Sequence, residues 1–263
     1  MARIVITGSS RGIGLGLALA FRQRGHDVVV SARQEESVDA AVAQVEAAEG
    51  RGGVLGIPAD VTERSSVQAL WDQAADVFGG VDIWINNAGV SGPKRPVSQL
   101  TDAEMAPVIA TNIWGVIFGT QIALAGMNDQ GHGKIFNFEG FGSTGMTAPG
   151  MTIYGMTKCA VTYFTRSMIK ELNGCAVLLG TISPGIVITD LLEDTRDEDP
   201  AKWIKTKRMY DVLADRVEDV APFIAERVLR ADKQGTAIRW LTTGKAARRF
   251  LLQPLRKRRV MPD

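Results

Sequence analysis

Thr7-Gly8-Ser9-Ser10-Arg11-Gly12-Ile13-Gly14 follows the apolar run Arg3-Ile4-Val5-Ile6 and opens a helical pattern near residue 13. Strand, glycine turn and helix, in that order, begin a fold that binds a dinucleotide. Gly8 permits the sharp turn, Gly12 lets backbone approach a pyrophosphate, and Gly14 lets the helix pack on the strand. The helix start offers free N–H groups and the positive end of its dipole to phosphate. Ser10, Arg11 and Ile13 belong to the same turn and are read as contacts with it.

Outward from that turn, short β-branched runs alternate with helical patterns. Strands are expected at 3–7, 27–31, 54–58, 82–86, 134–138, 176–182 and 237–241, and helices at 13–24, 35–49, 63–78, 102–127, 152–173 and 217–230. The strand candidates are continuous apolar runs, as strands covered on both faces should be. The expected fold class is α/β: a single doubly wound parallel sheet of about seven strands with helices on both faces. Asp60-Val61-Thr62-Glu63 and Thr101-Asp102-Ala103-Glu104 both look like capped helix starts. No linker or repeat divides the chain, so 1–243 is expected as one domain and 244–263 as a tail.

Composition agrees with that reading. The chain has 263 residues, 45% hydrophobic and 22% charged, which excludes a largely disordered protein. Two cysteines, Cys159 and Cys175, give neither a disulfide framework nor a zinc pattern, and no metal is expected. The apolar run at 113–126 is too short to span a bilayer. A soluble, cytoplasmic protein is the expectation. Residues 244–263 carry a net charge of +6, against +1 for the whole chain, so there is no chain-wide basic footprint for nucleic acid. The basic end reads either as a solvated tail or as a weak contact with an anionic membrane surface.

The end of the second strand selects the cofactor. It reads Val30-Ser31-Ala32-Arg33, with no acid for the ribose hydroxyls. Arg33, with Arg11 nearby, can fork onto a 2′-phosphate, so NADP(H) is expected. Asp60, followed by Val61, can accept from an adenine amino group or cap the next helix. Asn86-Asn87-Ala88-Gly89 places small residues and amides against the cofactor, with Asn87, Ala88 and Gly89 as contacts. Tyr154-Gly155-Met156-Thr157-Lys158 sets Tyr and Lys four apart on one helix face. A nearby ammonium favours phenolate, so the pair can pass a proton to or from a carbonyl or alcohol oxygen. Lys158 can also hold a ribose.

The order of these motifs, closed by Pro184-Gly185-Ile186-Val187 and Thr189, resembles the short-chain dehydrogenase/reductase family over roughly residues 3–190. The resemblance implies a Rossmann fold, hydride transfer between a nicotinamide and a carbonyl or alcohol carbon, Tyr154 as acid/base, and Lys158 on the ribose. It also implies Asn112 as holder of a relay water, and the 184–189 stretch over the nicotinamide. A homo-oligomer is implied too. The usual tetramer-building end of the chain is absent, which leaves a dimer or a tetramer.

One part of the pattern is broken. The family places a Ser about 13 residues before the Tyr, and Phe141 stands there; aligning on Asn137 instead puts Gly140 in the Ser position. Three readings stay open: Ser143 reaches back as the second donor, Glu139 takes a polar role at the oxygen, or the site is weakened. The stretch from Asn137 to Ser143, with 183–192 and 239–242, is similar to the chlorophyll b reductase branch, whose members reduce a formyl group on a chlorin. Residues 190–213 are expected to form a substrate lid with apolar anchors at Trp203, Ile204, Met209 and Tyr210. The competing reading is a silent NADPH-binding module that senses redox state or docks a partner.

Overall fold

The computed structural model describes residues 1–189, 200–253 and 260, without the side chains of 200–205. Asp190 to Asp199 of the expected lid, the Trp203 and Ile204 anchors, and Arg256 to Arg259 of the tail lie outside the described residues.

Seven strands form one parallel sheet. They are β1 (Arg3–Thr7), β2 (Asp27–Ser31), β3 (Val54–Gly56), β4 (Ile83–Asn86), β5 (Gly133–Phe138), β6 (Val177–Ser183) and β7 (Ala237–Arg239). Their order is β3-β2-β1-β4-β5-β6-β7, and every pairing is parallel. The expected fold class is therefore found. Successive strand side chains point to opposite faces, and this divides the core in two. Ile4, Ile6, Val28, Val30, Ile83, Ile85 and Phe136 pack under one layer of helices. Val5, Val29, Trp84, Ile135 and Leu179 pack under the other. The first layer includes α1 (Gly12–Gln23), the second α3 (Arg64–Phe78), with α2 (Glu35–Ala47) between β2 and β3.

The helical run expected at 102–127 is interrupted. It consists of α4 (Asp102–Ile109), a π-helical turn (Ala110–Trp114) and α5 (Gly115–Gln130). Pro107 has no N–H to give to the ladder, and the wider turn follows within a few residues. Thr101 and Glu104 form the expected capping box. The other expected cap differs: Glu63 stands at the start of α3, and Asp60 folds back on Thr62 instead. By length and composition the run Asp102–Gln130 is apolar enough to cross a membrane. Here it packs on β4 and β5 and buries Val116, Ile122, Ala123 and Met127.

The remaining helices are α6 (Thr152–Glu171), α7 (Pro200–Leu213), α8 (Val217–Arg230) and α9 (Thr243–Leu252). The sequence reading missed α9, because its charges mask a short amphipathic repeat. Arg249 of α9 donates to both oxygens of buried Asp215 at 2.8 Å, and Trp240 Nε1 donates to the same carboxylate at 2.6 Å. The start of the basic segment is thus tied to the domain.

β1 and β4 are clamped at their entry ends. Asp82 accepts from the Arg3 guanidinium at 2.7 and 2.8 Å and from the Arg3 backbone at 2.8 Å. Burial alone would raise the carboxyl, but these bonds outweigh it and hold it at about 2, below its ordinary 3.8. The stabilisation is complete above the ordinary value and is lost as pH falls towards 2. Asp82→Asn is expected to cost on the order of 1–2 kcal/mol at pH 7, after discount for partial exposure, and much less at pH 2.5. Urea unfolding at both pH values checks this; equal losses would refute it.

Candidate active site

The chain leaves β1 towards β2 on one side and returns to β4 on the other. Their outgoing loops separate, and a crevice opens at the carboxyl ends of the strands. A cavity of about 930 Å³ fills it. Every residue read from the sequence as a cofactor contact, from Gly8 and Ser10 through Arg33, Asp60 and Asn87 to Thr189, lines this one cavity.

The crevice is built by short bonds between loops. Asn87 Nδ2 donates to the carbonyls of Thr7 and Gly8, both at 2.9 Å. Thr7 Oγ1 accepts from the backbone of Asn87 and Ala88, both at 3.1 Å. Gly8 adopts φ +63°, and a Cβ there would lie 2.7 Å from Ala88 Cα, so only glycine fits where the two loops touch. Arg33 and Arg11 are exposed at one end of the cavity, beside Gln34 and Ser37. Asp60 Oδ1 accepts from Thr62 N and Oγ1, at 2.9 and 2.8 Å.

At the other end stand Tyr154 and Lys158 on α6. Lys158 is 5% exposed, and its Nζ donates to Phe138 O at 3.2 Å. Nζ lies 5.8 Å from the Tyr154 ring centre. Burial raises the Tyr154 phenol to about 12 and lowers Lys158 to about 8. The sequence reading expected the ammonium to lower the phenol. Here Lys158 is buried and donates an N–H to Phe138 O, and Tyr154 is half-buried, so loss of water outweighs the effect of the ammonium on the phenol.

Two expected catalytic side chains do not reach the cavity. Asn112 is fully buried in the π turn; its Oδ1 accepts from Val90 N, and its Nδ2 donates to Val90 O and Thr157 Oγ1, at 2.9 to 3.0 Å. Its amide is used up in bracing the Val90 loop and α6, so it positions the site from behind. Ser143 is turned away as well. Its Oγ accepts from Gly140 N at 3.0 Å and donates to Lys158 O at 3.3 Å, which closes the glycine loop onto α6. It does not replace the missing Ser. Glu139 does line the cavity.

Gly140, which takes the Ser position when the chain is aligned on Asn137, stands against the reacting phenol. A Cβ there would lie 2.6 Å from Tyr154 Oη. The phenol occupies room that a side chain at 140 would take. The sequence reading also passed over Val90, Ser91, Lys94, Thr111 and Met151, and it named Phe141 only for its spacing; all line the cavity wall. Thr111 sits in the π turn and the others in loops with no motif of their own, signalled only by their place after a strand or before α6. Gly140→Ala is expected to push Tyr154 aside and lower turnover on the order of 100-fold while leaving dinucleotide binding intact. Steady-state kinetics with a fluorescence titration would show it, and unchanged turnover would refute the contact.

A model of the short chain dehydrogenase family matches residues 2–200. Probable chlorophyll(ide) b reductase NYC1, chloroplastic, of Arabidopsis thaliana is 34% identical, over 99% of this chain and 54% of its own length. Chlorophyll(ide) b reductase NOL, chloroplastic, of Oryza sativa subsp. japonica is 35% identical, over 94% of this chain and 73% of its own. The chain thus spans about half the length of the NYC1 relatives it matches. A solved short-chain type dehydrogenase/reductase from Mycobacterium marinum superposes with a TM-score of 0.80 at 28% identity, over 90% of this chain and 93% of that one. The expected cytoplasmic location is overturned, because these reductases from both plants are described as chloroplastic. That expectation came from the shortness of the apolar runs, and the length of an apolar run carries no information on compartment. From the ordered motifs, the crevice they line and the matched family model, the chain is a member of the short-chain dehydrogenase family, similar to its chlorophyll b reductase branch.

Proposed function

We propose that the chain is an NADPH-dependent reductase of a carbonyl group, acting on a bulky apolar substrate of the formyl-bearing chlorin class. The observation that carries this reading is the cavity itself, with a phosphate-binding turn at one end and the Tyr154 hydroxyl beside Lys158 at the other. The residues fit a dinucleotide. The backbone of 8–14 and the start of α1 suit a pyrophosphate. Arg33 and Arg11 suit a 2′-phosphate, Asp60 and Val61 the adenine, and Asn87, Ala88 and Gly89 the middle of the molecule. Lys158, in the cavity wall, would hold the nicotinamide ribose, and Pro184, Gly185, Ile186, Val187 and Thr189 would cover the ring.

The bound cofactor would supply a hydride to the carbonyl carbon. Tyr154 donates its Oη proton to the oxygen, which becomes a hydroxyl. A phenol raised to about 12 is protonated at neutral pH, the form that reduction requires. Lys158 offsets the phenolate left behind. Phe141, Met151, Met209 and Tyr210 also line the cavity, apolar side chains suited to a flat aromatic ring. The names of the relatives support a chlorin. Assembly as a homo-oligomer is part of the same reading; Trp114 and Tyr163, 51% and 77% exposed, offer apolar surface to a second copy.

Titration with NADPH and NADH, followed by cofactor fluorescence, tests the cofactor. NADPH is expected to bind more tightly, and Arg33→Ala to weaken it by about 10- to 100-fold with little effect on NADH. Equal loss for both would remove Arg33 as the phosphate reader. Tyr154→Phe is expected to abolish reduction of formyl-bearing tetrapyrroles while NADPH still binds. Turnover retained in that variant would overturn the proton assignment. Tight NADPH binding with no turnover of any aldehyde or ketone by the unaltered protein would favour the silent binding module, a reading the missing Ser hydroxyl keeps open.

A further inference from the structure

Phe138 ends β5, and its carbonyl accepts from Lys158. Glu139 follows at once. Its backbone N–H donates to Ile182 O at 2.8 Å, which fixes the residue at the cavity wall. Glu139 is only 7% exposed, and its carboxylate makes no hydrogen bond or ion pair among the described residues. A carboxylate on a residue this buried is costly unless cavity water or a nearby charge answers it. The nearby cation is Lys158, whose stem crosses the adjoining Gly140: a Cβ at 140 would lie 3.1 Å from Lys158 Cγ and 3.3 Å from its Cδ.

Arg11, Arg33, Asp60, Lys94 and Tyr210 line the same cavity, and Tyr154 shares the helix. Glu139 stands between Phe138, whose carbonyl Lys158 holds, and Gly140, against which the Lys158 stem lies, and a negative charge there opposes the effect of burial on the ammonium. We infer that Glu139 is a positioning residue that keeps the buried Lys158 in its charged form, so that the proton relay works without the usual Ser. The reasoning is electrostatic. When Tyr154 gives up its proton, a phenolate is left in a water-poor site. With Gly140 in the Ser position, no hydroxyl shares that charge, and the relay depends more heavily on a cation at Lys158.

Part of the test needs neither cofactor nor substrate. The full chain is prepared with ¹³C-labelled lysine, and the Lys158 signal is identified by its loss in Lys158→Met. Glu139→Gln is expected to lower the pH at which Lys158 titrates, by roughly tenfold or more in acid dissociation constant. Glu139→Asp is expected to restore most of the shift, and Glu139→Ala serves as the neutral variant if the glutamine form does not fold. Unchanged titration of Lys158 in the neutral variant overturns the inference. The kinetic arm rests on the carbonyl-reductase reading. There, the activity of Glu139→Gln should fall away at lower pH than that of the unaltered protein, because Lys158 loses its proton sooner. A loss equal at every pH, with Lys158 titrating as before, would place Glu139 on the substrate instead and overturn the inference. Absence of turnover in the unaltered protein would sink the reductase reading alone, and the lysine titration would still decide the role of Glu139.

Discussion

The site depends on one topological constraint. Parallel strands need crossovers, and crossovers from twisted strands are right-handed. A chain that lays β1, β2 and β3 outward in one direction must start again beside β1 to lay β4 to β7 in the other. The two outgoing loops at that point lie on opposite faces, so the sheet opens there. Asn87 holds the gap at a set width by bonding to both Thr7 and Gly8. Without that cross-brace the glycine turn and the fourth-strand loop would have no fixed relation, and the cavity would lose its floor.

A second brace sits behind the reacting end. Asn86 donates to Asn137 and Thr120, and Asn137 donates to Thr165 of α6. Asn112 donates to Thr157 on the same helix. These buried amides lock β4, β5, the π turn and α6 into one unit. A polar network this deep is tolerated because its members find partners, and it is specific for the same reason. Tyr154 and Lys158 inherit their positions from it. The loss of the family Ser then reads as a local change within a rigid frame. Gly140 lets the phenol settle against the backbone, while Ser143 serves the loop rather than the chemistry.

The strand and helix plan was legible because each element carries its own signal. Continuous apolar runs mark strands covered on both faces, and Gly8, Thr101 and Glu104 mark ends through local chemistry. Elements whose existence depends on distant partners were not legible. The π turn needs Val90 and Thr157 to hold Asn112. Helix α9 needs Asp215 to hold Arg249. The direction of the phenol's shift was not legible for the same reason: spacing on a helix shows that Tyr154 and Lys158 share a face, but not how far each is withdrawn from water.

The amino-acid sequence by itself determined the fold class, the family, the dinucleotide turn and the Tyr–Lys pair, since each is written in residues close together along the chain. The tertiary structure decided which side chains face the cavity. It turned Ser143 and Asn112 away, brought Glu139 to the wall beside Lys158, and set Gly140 against the Tyr154 hydroxyl. Those outcomes rest on hydrogen bonds and burial between segments far apart in sequence, which no local pattern records.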